Sequence, residues 1–289
     1  MKKCITTLYS LVDDFCKIYQ EWEKQKLIPS EKQRERQGNL GLSELMTIVL
    51  FFYLSSYKDF KNYYLQYFYG DRKNLFKLPT YSRIIQLWPR IITPLTILLH
   101  CLTGEHTGTY FIDSTKLQIC HNKRTGSNKV FAHKAKMGKS SYGWFMGFKL
   151  HLIINNRGQV MAIKITQGNK SDMSVVEQLS KDLTGKMFGD KGYISKKLFE
   201  NLYNRGLKII TGIRKDMKNH LFEMEEKIML KKRSLIEAVF NILKNTMGLE
   251  HSRSRSPLNY LIHILACIAS YAITKISPKT ASQLISPRP

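Results

Sequence analysis

Between Thr109 and Ile276 the hydrophobic pattern changes period in a fixed order, and that order limits the folds open to the chain. Tyr110-Phe111-Ile112-Asp113 is a short apolar run of β-favouring residues. Phe148, Leu150, Leu152 and Ile154 alternate with period two, Asn155-Asn156-Arg157-Gly158 reads as a turn, and Val160 to Thr166 as the returning strand. Ser174-Val175-Val176-Glu177 has the form of a capping box and opens a helix to Leu183. Lys186 to Asp190 reads as a short strand, Lys196 to Asn204 as a helix and Leu207 to Ile213 as a strand. Two helices complete the order, over Leu230 to Met247 and Leu258 to Ile276. Strands interleaved with helices in this way predict an α/β (mixed) domain, a five-stranded mixed sheet flanked by helices.

The first hundred residues have a different texture. Leu8, Leu11, Phe15, Ile18, Tyr19 and Trp22 recur at helical spacing within a helix over Cys4 to Leu27, and a charged loop spans Ser30 to Gln37. Ser43 is the expected cap of a second helix and Thr80 of a third, which Pro89 and Pro94 are expected to kink or divide. The expected division is an all-helical domain over residues 1–105, whose short helices with basic residues between them suit a DNA-binding or oligomerisation module and any small bundle equally, and an α/β domain over 106–289.

Charge narrows the class of partner. Against 22 acidic residues stand 46 basic ones, a net +24. A field of that sign draws polyanions, and each phosphate neutralised releases counterions. From Ser114 to Ser171 there are eleven Lys and Arg and no Asp or Glu, with Tyr142, Trp144, Phe145 and Phe148 interleaved. This segment reads as an arm or hairpin crossing DNA, with Lys134, Lys136, Lys139 and Lys149 as contacts; Trp144 and Phe145 either join it or pack inward. Arg253 and Arg255 form a second basic run before the last helix. Five cysteines without a CxxC pair argue against a disulfide framework or zinc ribbon, and a cytoplasmic, nucleoid-associated protein is expected. The apolar stretch from Leu261 to Ile276 is short for a membrane span and reads as a buried helix, so no membrane partner is expected. Asp13 and Asp14 interrupt the apolar run after Met1-Lys2-Lys3, unlike a signal peptide.

Three carboxylates stand where chemistry on phosphodiesters needs them. Asp113 ends an apolar strand, where an unpaired charge is costly. Asp190 ends another, with Gly192 expected to turn the backbone sharply. On a helical wheel Arg233, Asn241 and Lys244 fall within about 40° of Glu237 at roughly 100° per residue, a polar stripe on an otherwise apolar helix. A solvated face would look the same; two strand-borne aspartates in the right order favour a site. Magnesium takes such oxygen ligands, and a pair of ions can activate the attacking oxygen and stabilise the leaving one. Arg233 and Lys244 would meet flanking phosphates. Asp172 reads as a helix N-terminal residue, and His121, His133 and His151 lack partners at zinc spacing.

The segments Tyr110 to Thr115, Gly143 to His151, Gly189-Asp190-Lys191-Gly192-Tyr193 and Arg233…Glu237…Lys244 together resemble bacterial insertion-sequence transposases of the DDE class. The resemblance covers nearly the whole chain. It implies a ribonuclease H-like catalytic domain, with Asp113, Asp190 and Glu237 as catalytic and metal-holding residues and two Mg2+ (or Mn2+) ions as cofactor. It implies hydrolysis and strand transfer at the element's ends, with the element ends and target DNA as partners and a homo-oligomer, in the simplest case a dimer. The alternatives are an inactive, element-derived DNA-binding protein and a metal-dependent nuclease. One position departs from the wider family's pattern: Leu230 stands where a Tyr precedes Arg233.

Overall fold

The computed structural model describes residues 4–26, 38–72, 75–140, 143–212, 223–252 and 254–275. The charged loop expected over Ser30 to Gln37 lies outside the described residues, as does Tyr142. Two compact units emerge: residues up to 102 with 247–249 and the last helix, and residues 103–246 with 250–252.

The first unit is helical. In α1 (Ile5–Lys26), Ile5, Leu8, Val12, Phe15, Cys16 and Tyr19 are buried, the stripe expected from spacing three and four. Helix α2 (Leu42–Leu54) is buried almost all round, as an apolar core helix must be. Its cap is Gly41, not Ser43: the Glu44 carboxylate accepts the Gly41 N–H at 2.7 Å, while Ser43 lies inside the helix. Asp59 caps the short α3 (Phe60–Asn62), which runs into π-helical turns over Tyr63–Asp71. Thr80 caps α4 (Tyr81–Leu87) as expected, and the 3-10 turn Trp88–Ile91, carrying Pro89, separates it from α5 (Ile92–Cys101).

The last described helix, α10 (Pro257–Lys275), packs on α2 and α5 within this unit, although it was expected inside residues 106–289. The reason is its surface. Tyr260 to Ile273 are buried at almost every position, so the helix needs other helices on several sides. Polar groups fix its register: His263 Nδ1 lies 2.8 Å from the Tyr53 hydroxyl, and Ser270 donates to the Leu50 carbonyl at 2.9 Å. By length and composition α10 and Tyr81–Cys101 are apolar enough to cross a membrane, but 72% of the apolar window of α10 is buried inside the chain.

The second unit carries a sheet of six strands: β1 (Thr109–Cys120), β2 (Lys136–Ser140), β3 (Gly143–Asn155), β4 (Val160–Gln167), β5 (Gly185–Gly189) and β6 (Leu207–Thr211). β1 lies centrally, antiparallel to β3 and parallel to β5, and β6 extends the parallel side. The outer edge of β3 is shared: residues near its start pair with β2, and Phe148 to Ile154 pair with β4. This is a ribonuclease H-like sheet with one strand beyond the five expected. The extra strand, β2, comes from the basic segment read as an arm. Where β3 meets β1, Gly147 is required, since a Cβ there would sit 2.0 Å from the Leu117 carbonyl oxygen.

One face of the sheet, with Tyr110, Ile112, Ile153, Met187 and Ile209, packs on Val175, Val176, Leu179, Leu198 and Leu202. These come from the 3-10 turn Asp172–Val175, α6 (Val176–Leu179) and α7 (Lys196–Tyr203). The helix expected from Ser174 to Leu183 is thus only two short turns, and the Ser174 hydroxyl donates to the Ser171 carbonyl instead of capping it. α8 (Met224–Lys231) covers β5 and β6, where the buried Glu226 meets Lys208 at 2.6 Å and Lys186 at 3.6 Å. α9 (Ser234–Asn241) packs against β1 and continues as a π-helical turn, Ile242–Thr246. The single helix expected over Leu230 to Met247 is therefore broken before Ser234.

Candidate functional site

Asp113 lies within β1, not at its end as the apolar run suggested, because pairing with β3 carries the strand on to Cys120. Alternation puts Phe111 and Asp113 on one face and Ile112 on the other. Phe111 is opposite Phe188 in the parallel pair with β5, their rings 5.9 Å apart. Two residues beyond this couple the chain reaches Asp113 on one strand and Asp190, just past β5, on the other. Asp190 starts the 3-10 turn Lys191–Tyr193, its carbonyl accepting the Tyr193 N–H at 3.0 Å. The glycine the motif needs here is Gly189: a Cβ on it would meet the Tyr193 ring at 3.1 Å and Ile112 at 3.2 Å. The chain does turn at Gly192, within this 3-10 turn, but its φ is ordinary and the space around it open, so the turn does not depend on a glycine there.

α9 approaches the same face of β1. Ile236, Val239 and Phe240 are buried, leaving Arg233, Glu237 and Asn241 on the polar side, as the helical wheel requires. Arg233 bridges two of the acids: one guanidinium nitrogen is 2.9 Å from Glu237 Oε1 and the other 3.8 Å from Asp113 Oδ2. Asp113 is mostly buried, and burial pushes its carboxyl up to about 6. The Ser114 N–H, donating to Oδ1 at 2.8 Å, and Arg233 pull it down; the charges of Asp190 and Glu237 push it up. Asp113 thus feels both of the other carboxylates. Among the described residues, however, no three acidic, His or Cys side chains are already arranged around a common metal position. The donors suit a hard divalent cation by type, and a half-shielded, mutually repelling set of carboxylates is one that added positive charge would stabilise.

The basic residues singled out divide into exposed and engaged ones. Lys134, Lys136 and Lys139 are exposed, and so is Arg255. Lys149 is only 15% exposed, and its ammonium lies 3.0 Å from both the Asp172 carboxylate and the Lys170 carbonyl. Lys244 falls in the π-helical turn, which shifts its phase from the α-helical wheel, and pairs with Glu250 at 2.5 Å. Arg253 lies outside the described residues. The Lys149–Asp172 pair carried no signal in the sequence, where Asp172 read as a helix start. His151, fully buried beside it, shares a hydrogen bond with the Thr166 hydroxyl at 2.8 Å, and burial holds its imidazole down at about 4, hence neutral. The His121 ring nitrogen accepts the Lys123 N–H, and His133 is exposed with φ of 64°.

No curated protein gives a significant match to the chain. Among solved structures it is similar to piggyBac transposase in a cryo-EM structure of its synaptic complex with hairpin DNA, at 12% identity and a TM-score of 0.48, over 98% of this chain and 78% of that one. Residues 103–257, more than half of the 289, match the family described as Transposase DDE domain. That span holds β1 to β6, α9 and all three carboxylates, and the chain belongs to the transposase DDE domain family.

Proposed function

We propose that this protein is a DNA transposase that cuts at the ends of its insertion sequence and joins them to target DNA, using Asp113, Asp190 and Glu237 to hold two Mg2+ or Mn2+ ions. The observation that supports this reading is that Arg233 reaches both Asp113 and Glu237, while the charges of Asp190 and Glu237 both act on Asp113. Bound there, the ions would activate the attacking oxygen and stabilise the leaving one. The chain's own residues do the rest. Asp113 is carried by the sheet and Glu237 by α9, and the Asp113 side chain is only 23% exposed. Arg233 is the group to neutralise charge building on the phosphate, since its guanidinium already lies at the acids. DNA as the partner is supported by the net +24 and the exposed Lys134, Lys136 and Lys139.

The test uses purified protein, a duplex ending in the element's terminus and a supercoiled target plasmid. With Mg2+ the wild type is expected to cleave and to give joined product, and Glu237→Gln to retain duplex binding but lose both products. Cleavage without joining would reassign the protein as a nuclease. Binding without cleavage in the wild type would make it a DNA-binding derivative.

A further inference from the structure

Neighbouring side chains on β3 meet opposite fates. Phe145 is 1% exposed, its ring lying over Gly138 and Gly168, whereas Trp144 is 60% exposed. An indole left in water forgoes the stabilisation its burial would bring. Trp144 stands opposite Lys139 in the β2–β3 pairing, so the two share a face, and the Lys139 ammonium lies 5.9 Å from the indole centroid. The next pair on that face is Met137 opposite Met146, with Met137 37% exposed. The segment is basic: Lys129 and Lys134 are exposed as well, and no acid occurs between Ser114 and Ser171 in the sequence. A flat π-face beside an ammonium, in a basic segment, matches a nucleic-acid strand.

We propose that Trp144, with Lys139 beside it, is a stacking platform for an unpaired base of the DNA strand lying along β2 and β3. This rests on the DNA-processing reading above. The base must be unpaired because the faces of bases within a duplex are already stacked, whereas a single strand or an extruded nucleotide offers a free one. Position along the sheet says which base. Asp113 is opposite Leu152, and from there to Trp144 β3 runs eight residues, or about 26 Å. That spans about eight nucleotides where the strand keeps the duplex spacing of roughly 3.4 Å per step up to the platform. The platform therefore takes a base in the flanking strand, well away from the scissile phosphate.

The experiment uses the full chain and a duplex with a single-stranded extension carrying 2-aminopurine about eight nucleotides from the junction, with a blunt duplex as control, in EDTA. Wild type is expected to quench the 2-aminopurine and to prefer the extended DNA by about 5- to 100-fold. Trp144→Ala should lose both while holding blunt-duplex affinity within about twofold, and Trp144→Phe should recover much of each. Quenching and preference that survive Trp144→Ala would overturn the platform. So would a change in oligomeric mass with DNA behaviour unaltered, which would make the patch a contact between copies. If wild type bound neither DNA, the DNA-processing reading itself would fail, and the platform with it.

Discussion

Asp113→Asn is expected to lower metal-dependent DNA cleavage by at least about 10²- to 10³-fold, and, without divalent cations, to make the protein more resistant to unfolding. Both effects come from one carboxylate. Its place in the middle of β1, facing α9 and next to Arg233, makes it more enclosed than Glu237, with side chains 23% and 56% exposed respectively. Amide replaces carboxylate with the same shape, so the strand and its pairing should survive while the charge that would hold a cation is lost. The stability gain has a defined pH dependence. The carboxyl titrates at about 6 in the folded chain against 3.8 when unburied, so between these values the folded state binds more protons than the unfolded one. Stability of the wild type therefore falls as pH rises through this window, by roughly 2 kcal/mol at neutral pH once partial exposure is allowed for. Asn carries no such cost. Denaturation in EDTA should show the variant ahead at pH 7.5 and the gap closed at about pH 4. Added Mg2+ should stabilise only the wild type. A variant that cleaves normally, or one less stable than wild type in EDTA, would contradict the placement of Asp113 at the centre of the site.

Phe145→Ala is the substitution with the largest expected effect on the fold, about 3–5 kcal/mol. Phe145 fills the space over Gly138 and Gly168, two glycines whose missing Cβ atoms would otherwise lie 3.0 and 3.1 Å from the ring. With the ring gone, neither glycine offers a side chain to close the cavity. The anchorage of β2 to the sheet depends on that contact, so the loss should also loosen Lys136 and Lys139 and weaken DNA binding. Trp144→Ala, one residue away on the other face, should cost no more than about 0.5 kcal/mol. Urea denaturation of the two variants side by side checks the contrast. Equal stabilities would show that β2 is not held by Phe145.

Much of this architecture was legible because the period of the apolar pattern survives wherever an element has one buried face. β3, β4, β5, β6, α7 and α10 all lie within a few residues of where alternation or helical spacing put them. The order of Asp113, Asp190 and Glu237 likewise reads directly from strand and helix signals. What could not be read was set by neighbours distant in sequence. β1 runs on past Asp113 because β3 pairs with it as far as Cys120, and no local feature of Ser114 to Cys120 says so. β2 lies where Gly138 and Gly168 let backbones approach closely. A helical wheel presumes uniform winding, so the π-helical turn after α9 that carries Lys244 towards Glu250 was invisible to it. Trp144 and Phe145 were indistinguishable by composition, and only strand phase separated the exposed ring from the buried one.

Everything proposed for the chemistry requires three acids, from β1, the end of β5 and α9, to hold divalent cations jointly on a phosphodiester. Anomalous diffraction from crystals of the protein grown with Mn2+ and a duplex of the element's end tests this most directly. Manganese peaks are expected within coordination distance of Asp113, Asp190 and Glu237, with Arg233 on a DNA phosphate. Peaks away from these residues, or Glu237 still paired with Arg233 while manganese and DNA are bound elsewhere, would contradict it.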